Sequence, residues 1–195
     1  MASLKPRSHV LDIGCGTGED ALWLAGQGHV VHAIDASPAM VAAAAAKGSR
    51  TRSAATFECR GLESLKSSDL RFEAVLSNFG ALNCVPLETW AGIVPGLLRR
   101  EGRGFVALMG DRPLPEAFRS RPPKTPRRDG ASVSVGAGAV TTYYAPVAAV
   151  VASLSIRFGQ AQSGLPIECL SSLLVVVQAA FRQSFPSLFP LRFPK

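Results

Sequence analysis

Two carboxylates and three glycines near the start of the chain have the types and spacing to do chemistry. Asp12 leads into Gly14, Gly16 and Gly18, which alternate through the run VLDIGCGTG at residues 10–18, and Cys15 lies inside the same loop. Glycine admits positive φ and lets a ligand lie directly on the main chain. Asp35 follows 21 positions after Gly14. A carboxylate about 20 residues past such a turn is placed to accept the two ribose hydroxyls of an adenosyl group. The spacing disfavours a dinucleotide, whose loop wants G-x-G-x-x-G and a helix N-terminus aimed at a pyrophosphate. Here the third glycine comes one residue early and Glu19 stands in its place, where a carboxylate opposes a pyrophosphate.

These residues need elements to hold them. Val10–Ile13 reads as a buried parallel strand running into the glycine loop. Glu19–Ala25 starts a helix, with two acids in its first turn favoured by the dipole. Val30–Ile34 is a second strand that ends on Asp35. Ser37 then caps a helix with Pro38 in its first turn, and Gly48 is expected to close that helix. Ala54–Arg60 alternates as a third strand, Phe72–Ser77 forms a fourth and Gly102–Met109 a fifth. Between the last two, a helix carries Trp90, Ile93, Val94, Leu97 and Leu98, with a kink expected at Pro95. In an open α/β sheet the ligand crevice lies outside the carboxyl ends of the strands, so Asn78 and Phe79 face the ligand if Gly14 and Asp35 do.

The pattern D-x-G-x-G-x-G at Asp12, Gly14, Gly16 and Gly18 resembles motif I of the class I S-adenosylmethionine-dependent methyltransferases. The run AIDASPAMV at residues 33–41 is similar to their second motif. The resemblance covers residues 9 to 110 well and the remainder loosely. It implies S-adenosyl-L-methionine as cofactor, and acids suit that ligand's sulfonium and ammonium. It implies that Ala36, Ser37 and Met40 border the adenine. An acid that often holds the adenine amino group in that family is replaced here by Leu62, so the Leu62 backbone or the Glu63 side chain would substitute. The resemblance also implies lid helices before the first strand, where this chain has about nine residues, and a last strand pair with no clear counterpart in this C-terminus.

The 195 residues have the length of one domain, with a cofactor-binding half at 9–110 and an irregular, substrate-side part at 111–195. Ala131–Tyr144 reads as a strand bent at Gly136 and Gly138, Ala145–Ser155 as a helix, Leu170–Phe181 as a second, buried helix, and the final PSLFPLRFPK as a loose tail. The four cysteines lack C-x-x-C spacing, so no metal site is expected and they read as reduced thiols. His9, His29 and His32 sit away from the carboxyl-end crevice and read as structural. The net charge of +7 is uneven: Arg119, Arg121, Lys124, Arg127 and Arg128 crowd one proline-rich run. That run reads as an exposed loop, either solvated or attracting an anionic acceptor. No aromatic residue interleaves its cations, which weakens a single-stranded nucleic acid as ligand. No signal core or membrane span is found, and a cytoplasmic location is expected.

The fold class expected is α/β: a three-layer, Rossmann-like α/β/α arrangement on a mainly parallel sheet. The function expected is methyl transfer from S-adenosyl-L-methionine to a small-molecule acceptor, with no nucleic acid and no membrane as partner. The loop after the fourth strand reads S-N-F-G, unlike the N-P-P-Y type found in enzymes that methylate exocyclic amines of nucleic acid bases. No catalytic base stands out; Asn78, Asn83, Tyr143 and Tyr144 are the polar candidates. The alternatives are a non-catalytic cofactor-binding homologue or fragment and, behind it, a nicotinamide-dependent oxidoreductase.

Overall fold

Five parallel strands carry the crevice. In a computed structural model, which describes residues 4–109, 130–135, 138–158, 161–163, 167–169 and 172–180, β1 (His9–Ile13) is flanked by β2 (Val30–Asp35) and β4 (Phe72–Ser77). Outside these lie β3 (Thr56–Cys59) and β5 (Leu98–Met109). The parallel order is therefore β3-β2-β1-β4-β5. Asp12 pairs in register with Ala33 on one side and Leu76 on the other, which puts it at the centre of the sheet.

The outer edge of β5 is covered by β10 (Ser172–Ala180), antiparallel from Leu174↔Met109 to Ala180↔Arg103. Two short strands, β8 (Ala161–Ser163) and β9 (Ile167–Cys169), pair antiparallel on β10. The helix expected over Leu170–Phe181 is thus a strand. A short continuous apolar run does not separate strand from buried helix by periodicity, and Val175–Val177 are β-branched, which favours extended backbone. An unpaired β5 edge would also leave a row of backbone groups open. These strands supply the antiparallel edge that the sequence left without a clear counterpart.

Alternation along β1 sorts the core onto two faces. Leu11 and Ile13 join Val75, Trp90, Leu97, Val150 and Leu154 on one side. That side is covered by α3 (Leu87–Ile93) and α4 (Val147–Phe158). Val10 joins Ala21, Leu24, Val31 and Ala74 on the other, under α1 (Glu19–Gly26). Helix α2 (Pro38–Thr51) packs there too: Ala44 lies against Gly18 and Phe57. The helices and the sheet between them give the three layers expected. Asp12 shares the face of Val10, so its carboxylate looks toward α1.

Three local expectations change. Helix α2 runs past Gly48 to Thr51 and is closed by Arg52 at φ 51; Gly48 instead gives room to the Phe57 ring. The kink expected at Pro95 is a helix end: α3 stops at Ile93 and Val94–Leu97 continues as a 3-10 turn, because proline has no N–H to carry the ladder. The bent strand is a hairpin, β6 (Ala131–Val135) against β7 (Gly138–Thr142), forming a separate two-stranded sheet. The cationic run 119–128, Gly136 and the final tail lie outside the described residues. Among the described residues no helix is long and apolar enough to cross a membrane.

Candidate functional site

The glycine loop is fastened to the second strand. The N–H groups of Gly14 and Cys15 both donate to the Ile34 carbonyl, at 2.8 and 3.0 Å. Gly18 N–H donates to the Cys15 carbonyl at 2.9 Å, closing a turn before α1. All three glycines hold positive φ: 71° at Gly14, 53° at Gly16 and 87° at Gly18. Their reasons differ. A Cβ on Gly14 would stand 2.2 Å from the Ala81 Cβ, and one on Gly18 would press on Ala44 and Phe57. These two are demanded by packing within the chain. A Cβ on Gly16 would meet nothing within 4 Å, so Gly16 alone faces open space.

Asp35 ties the loop to the next helix. Gly16 N–H donates to its Oδ2 at 2.9 Å and Ser37 N–H to its Oδ1 at 2.8 Å. A carboxylate can accept about four hydrogen bonds, so both oxygens retain capacity for a ligand's hydroxyls. Ser37 caps α2 as expected, its Oγ accepting from Met40 N–H at 3.4 Å. Ala36 and the partly exposed Met40 lie beside it, and the Ala36 carbonyl accepts from the Cys59 thiol. Leu62 buries its side chain in the core, so only its backbone can face the crevice, whereas the Glu63 side chain is exposed.

Asp12 is the most unusual group. It is 2% exposed, and its Oδ2 has no hydrogen-bond partner among the described residues. Burial pushes its carboxyl up to about 7, with further upward pressure from the negative charges of Asp20 and Asp35. Such a buried acid is either neutral or answered by a cation. Cys15 feels the same field: burial, then Asp12 and Asp35, push its thiol up to about 12, which keeps it a thiol.

Asp20 is the residue that the sequence reading passed over as a helix-dipole acid. Its Oδ2 accepts from Asn78 Nδ2 at 3.0 Å, which links α1 to the loop after β4. Its position two residues past Gly18, on the α1 turn facing Asp12's side of the sheet, was the available signal. Asn78 Oδ1 in turn accepts from Phe79 N–H at 2.9 Å. That bond holds Phe79 at φ 51, with its ring 86% exposed at the crevice. Non-glycine residues in this region cost about 1–2 kcal/mol and concentrate at functional sites. Glu19, by contrast, is turned into an ion pair with Lys47 of α2 and accepts from the Thr17 hydroxyl at 2.6 Å.

Beyond Phe79, the 3-10 turn Ala81–Cys84 separates the glycine loop from a cavity of about 360 Å³. Ala81 touches Gly14 on one side; Leu82 and Asn83 line the cavity on the other. Asn83 is 2% exposed and fully engaged. Its Oδ1 accepts from Met109 N–H at 2.7 Å, and its Nδ2 donates to the carbonyls of Met109 and Tyr143 at 3.0 and 2.7 Å. It therefore brackets the end of β5 to the segment that returns after the hairpin, and it sets Tyr143 and Tyr144 on the cavity wall. The structure thus brings Asp12, Asp20, Asp35, Asn78 and Phe79 around one loop, and separates Asn83, Tyr143 and Tyr144 into the neighbouring cavity.

Residues 10–100 match the family described as methyltransferase domain. The chain is 28% identical over 124 residues to a Nitratidesulfovibrio vulgaris protein described as an uncharacterized RNA methyltransferase; the match takes in 64% of this chain but only 19% of that protein. Its fold is similar to a Listeria monocytogenes protein assigned to the S-adenosylmethionine-dependent methyltransferases, with a TM-score of 0.71, 18% identity and 91% and 92% of the two chains covered. It is also similar to the 1,6-didemethyltoxoflavin-N1-methyltransferase of Burkholderia thailandensis, with a TM-score of 0.63, 20% identity and 93% and 74% covered.

Proposed function

We propose that the chain is a methyltransferase that takes S-adenosyl-L-methionine as cofactor and transfers its methyl group to a small-molecule acceptor; the match of residues 10–100 to a methyltransferase domain supports this reading. The observation that carries the cofactor site is the unpartnered, buried Asp12 carboxylate beside Asp20 and Asp35 at an open glycine loop. That donor set fits a ligand with an ammonium and a sulfonium, and opposes a pyrophosphate. When bound, the cofactor supplies a methyl group on an already activated sulfur.

The chain's own residues then have simple tasks. Asp35 would accept the ribose hydroxyls while its backbone partners hold it in place. Gly14, Cys15, Gly16 and Gly18 would carry the amino-acid portion, with Asp12 answering its ammonium. Ala36, Ser37, Met40, the Leu62 backbone and Glu63 would border the adenine. Asn78 and Phe79 would face the cofactor from the loop after β4. Alignment at near-attack distance is the main demand on the protein.

An acceptor of small size is supported by the walled cavity one 3-10 turn from the glycine loop. The free thiols Cys15, Cys59 and Cys84 support a reducing, cytoplasmic setting. The test is release of S-adenosylhomocysteine from S-adenosylmethionine over a metabolite panel, with an oligoribonucleotide beside it. Turnover confined to the oligoribonucleotide would reject the small-molecule reading.

A further inference from the structure

We propose that the cavity behind the Ala81–Cys84 turn is the acceptor site, and that it takes an uncharged aromatic or heteroaromatic molecule of one or two rings. This rests on the methyltransferase reading above and narrows its substrate class.

Position comes first. The turn is a shared wall: Ala81 packs on Gly14 and the next two residues line the cavity. A 3-10 helix rises about 2 Å per residue, so the two sites are separated by a few ångströms of chain. Size comes next. About 360 Å³ falls at the small end of the 300–1,000 Å³ usual for ligand pockets. It is large enough for a ring system of one or two rings.

Chemistry decides the class. Trp90, Leu108, Tyr143, Tyr144 and Val150 give an apolar and aromatic lining. Among the described lining residues there is no lysine, arginine or histidine. The one charged group among the described lining residues is Glu88, exposed in the first turn of α3. The amide among the described lining residues, Asn83, has both side-chain N–H groups spent on Met109 and Tyr143 and leaves no donor for the ligand. An anionic acceptor would thus face the Glu88 carboxylate and meet no cation among the described lining residues. Aromatic walls instead favour ring stacking and edge contacts.

The test uses a matched pair of probes, 1-naphthol and 1-naphthyl phosphate, titrated calorimetrically into the full chain with saturating S-adenosylhomocysteine. The proposal expects naphthol to bind about tenfold or more tighter than its ester, a gap of about 1.4 kcal/mol. Ala149→Phe, which fills the cavity from α4, should weaken naphthol by a similar factor and leave the affinity for S-adenosylhomocysteine unchanged. Glu88→Lys, at an exposed position, should bring the ester level with naphthol. Naphthol that fails to bind, or an ester that binds as tightly to the parent, overturns the proposal; the second result is the one expected of a phosphate-bearing acceptor such as RNA. Failure of S-adenosylhomocysteine to bind the parent overturns the methyltransferase reading instead, a different signal in the same experiment.

Discussion

Replacing Asp35 with asparagine removes one oxygen from a carboxylate that has both in use. Gly16 N–H and Ser37 N–H each donate to a different oxygen, at 2.9 and 2.8 Å. An amide has one acceptor, so whichever way it turns, its NH₂ group faces a backbone donor. One charge-assisted hydrogen bond is lost, at about 1.5–3 kcal/mol. The glycine loop and the start of α2 are then no longer held together at the crevice. If that loss is expressed in the cofactor-competent loop, affinity falls about 10- to 150-fold. The assay is calorimetric titration with S-adenosylhomocysteine, with a melting curve to show that the variant is folded. The core beneath is apolar and independent of this bond, so the fold should survive. A folded Asp35→Asn protein that binds within about twofold of the parent would refute the reasoning.

Other expectations follow from the same geometry. Asp12 holds its proton to about pH 7 in the fold against an ordinary value of 3.8, so the ligand-free protein should lose stability as pH rises between these values. Asp12→Asn should flatten that slope in denaturant melts from pH 5 to 8, and in the parent cofactor affinity should fall as pH drops below about 7. Gly14→Ala should destabilise by about 2–4 kcal/mol, combining a Cβ collision with left-handed strain, and Ala81→Gly should recover the collision part in the double variant. Asn83→Ala leaves Met109 N–H and two carbonyls without their partner and should cost about 2–4 kcal/mol in a urea melt, with little change in S-adenosylhomocysteine affinity.

The first half of the chain could be read because its signals are local. Glycines that need positive φ, an acid at a strand end and the Ser37-Pro38 cap each specify their own few residues, and the structure has the loop, Asp35 and the cap where these place them. Asp20 was missed because its partner, Asn78, is 58 positions away and only the sheet brings them together. Gly14 was read as a ligand contact, yet its first constraint is Ala81, a packing fact that no local pattern carries. Strand β10 was read as helix because its apolar run has no period, and what decides it is the open edge of β5. The cavity was invisible for the same reason: its walls come from the turn before α3, the end of β5 and the start of α4.

The most direct test of the account is titration of the unmodified protein with S-adenosylmethionine and, separately, with a nicotinamide dinucleotide. The acids around the loop and the open space at Gly16 predict saturable, one-site binding of S-adenosylmethionine and none of the dinucleotide. Gly16→Val should abolish that binding while the protein still melts cooperatively. Binding of the dinucleotide without S-adenosylmethionine, or unchanged S-adenosylmethionine binding by Gly16→Val, would contradict it.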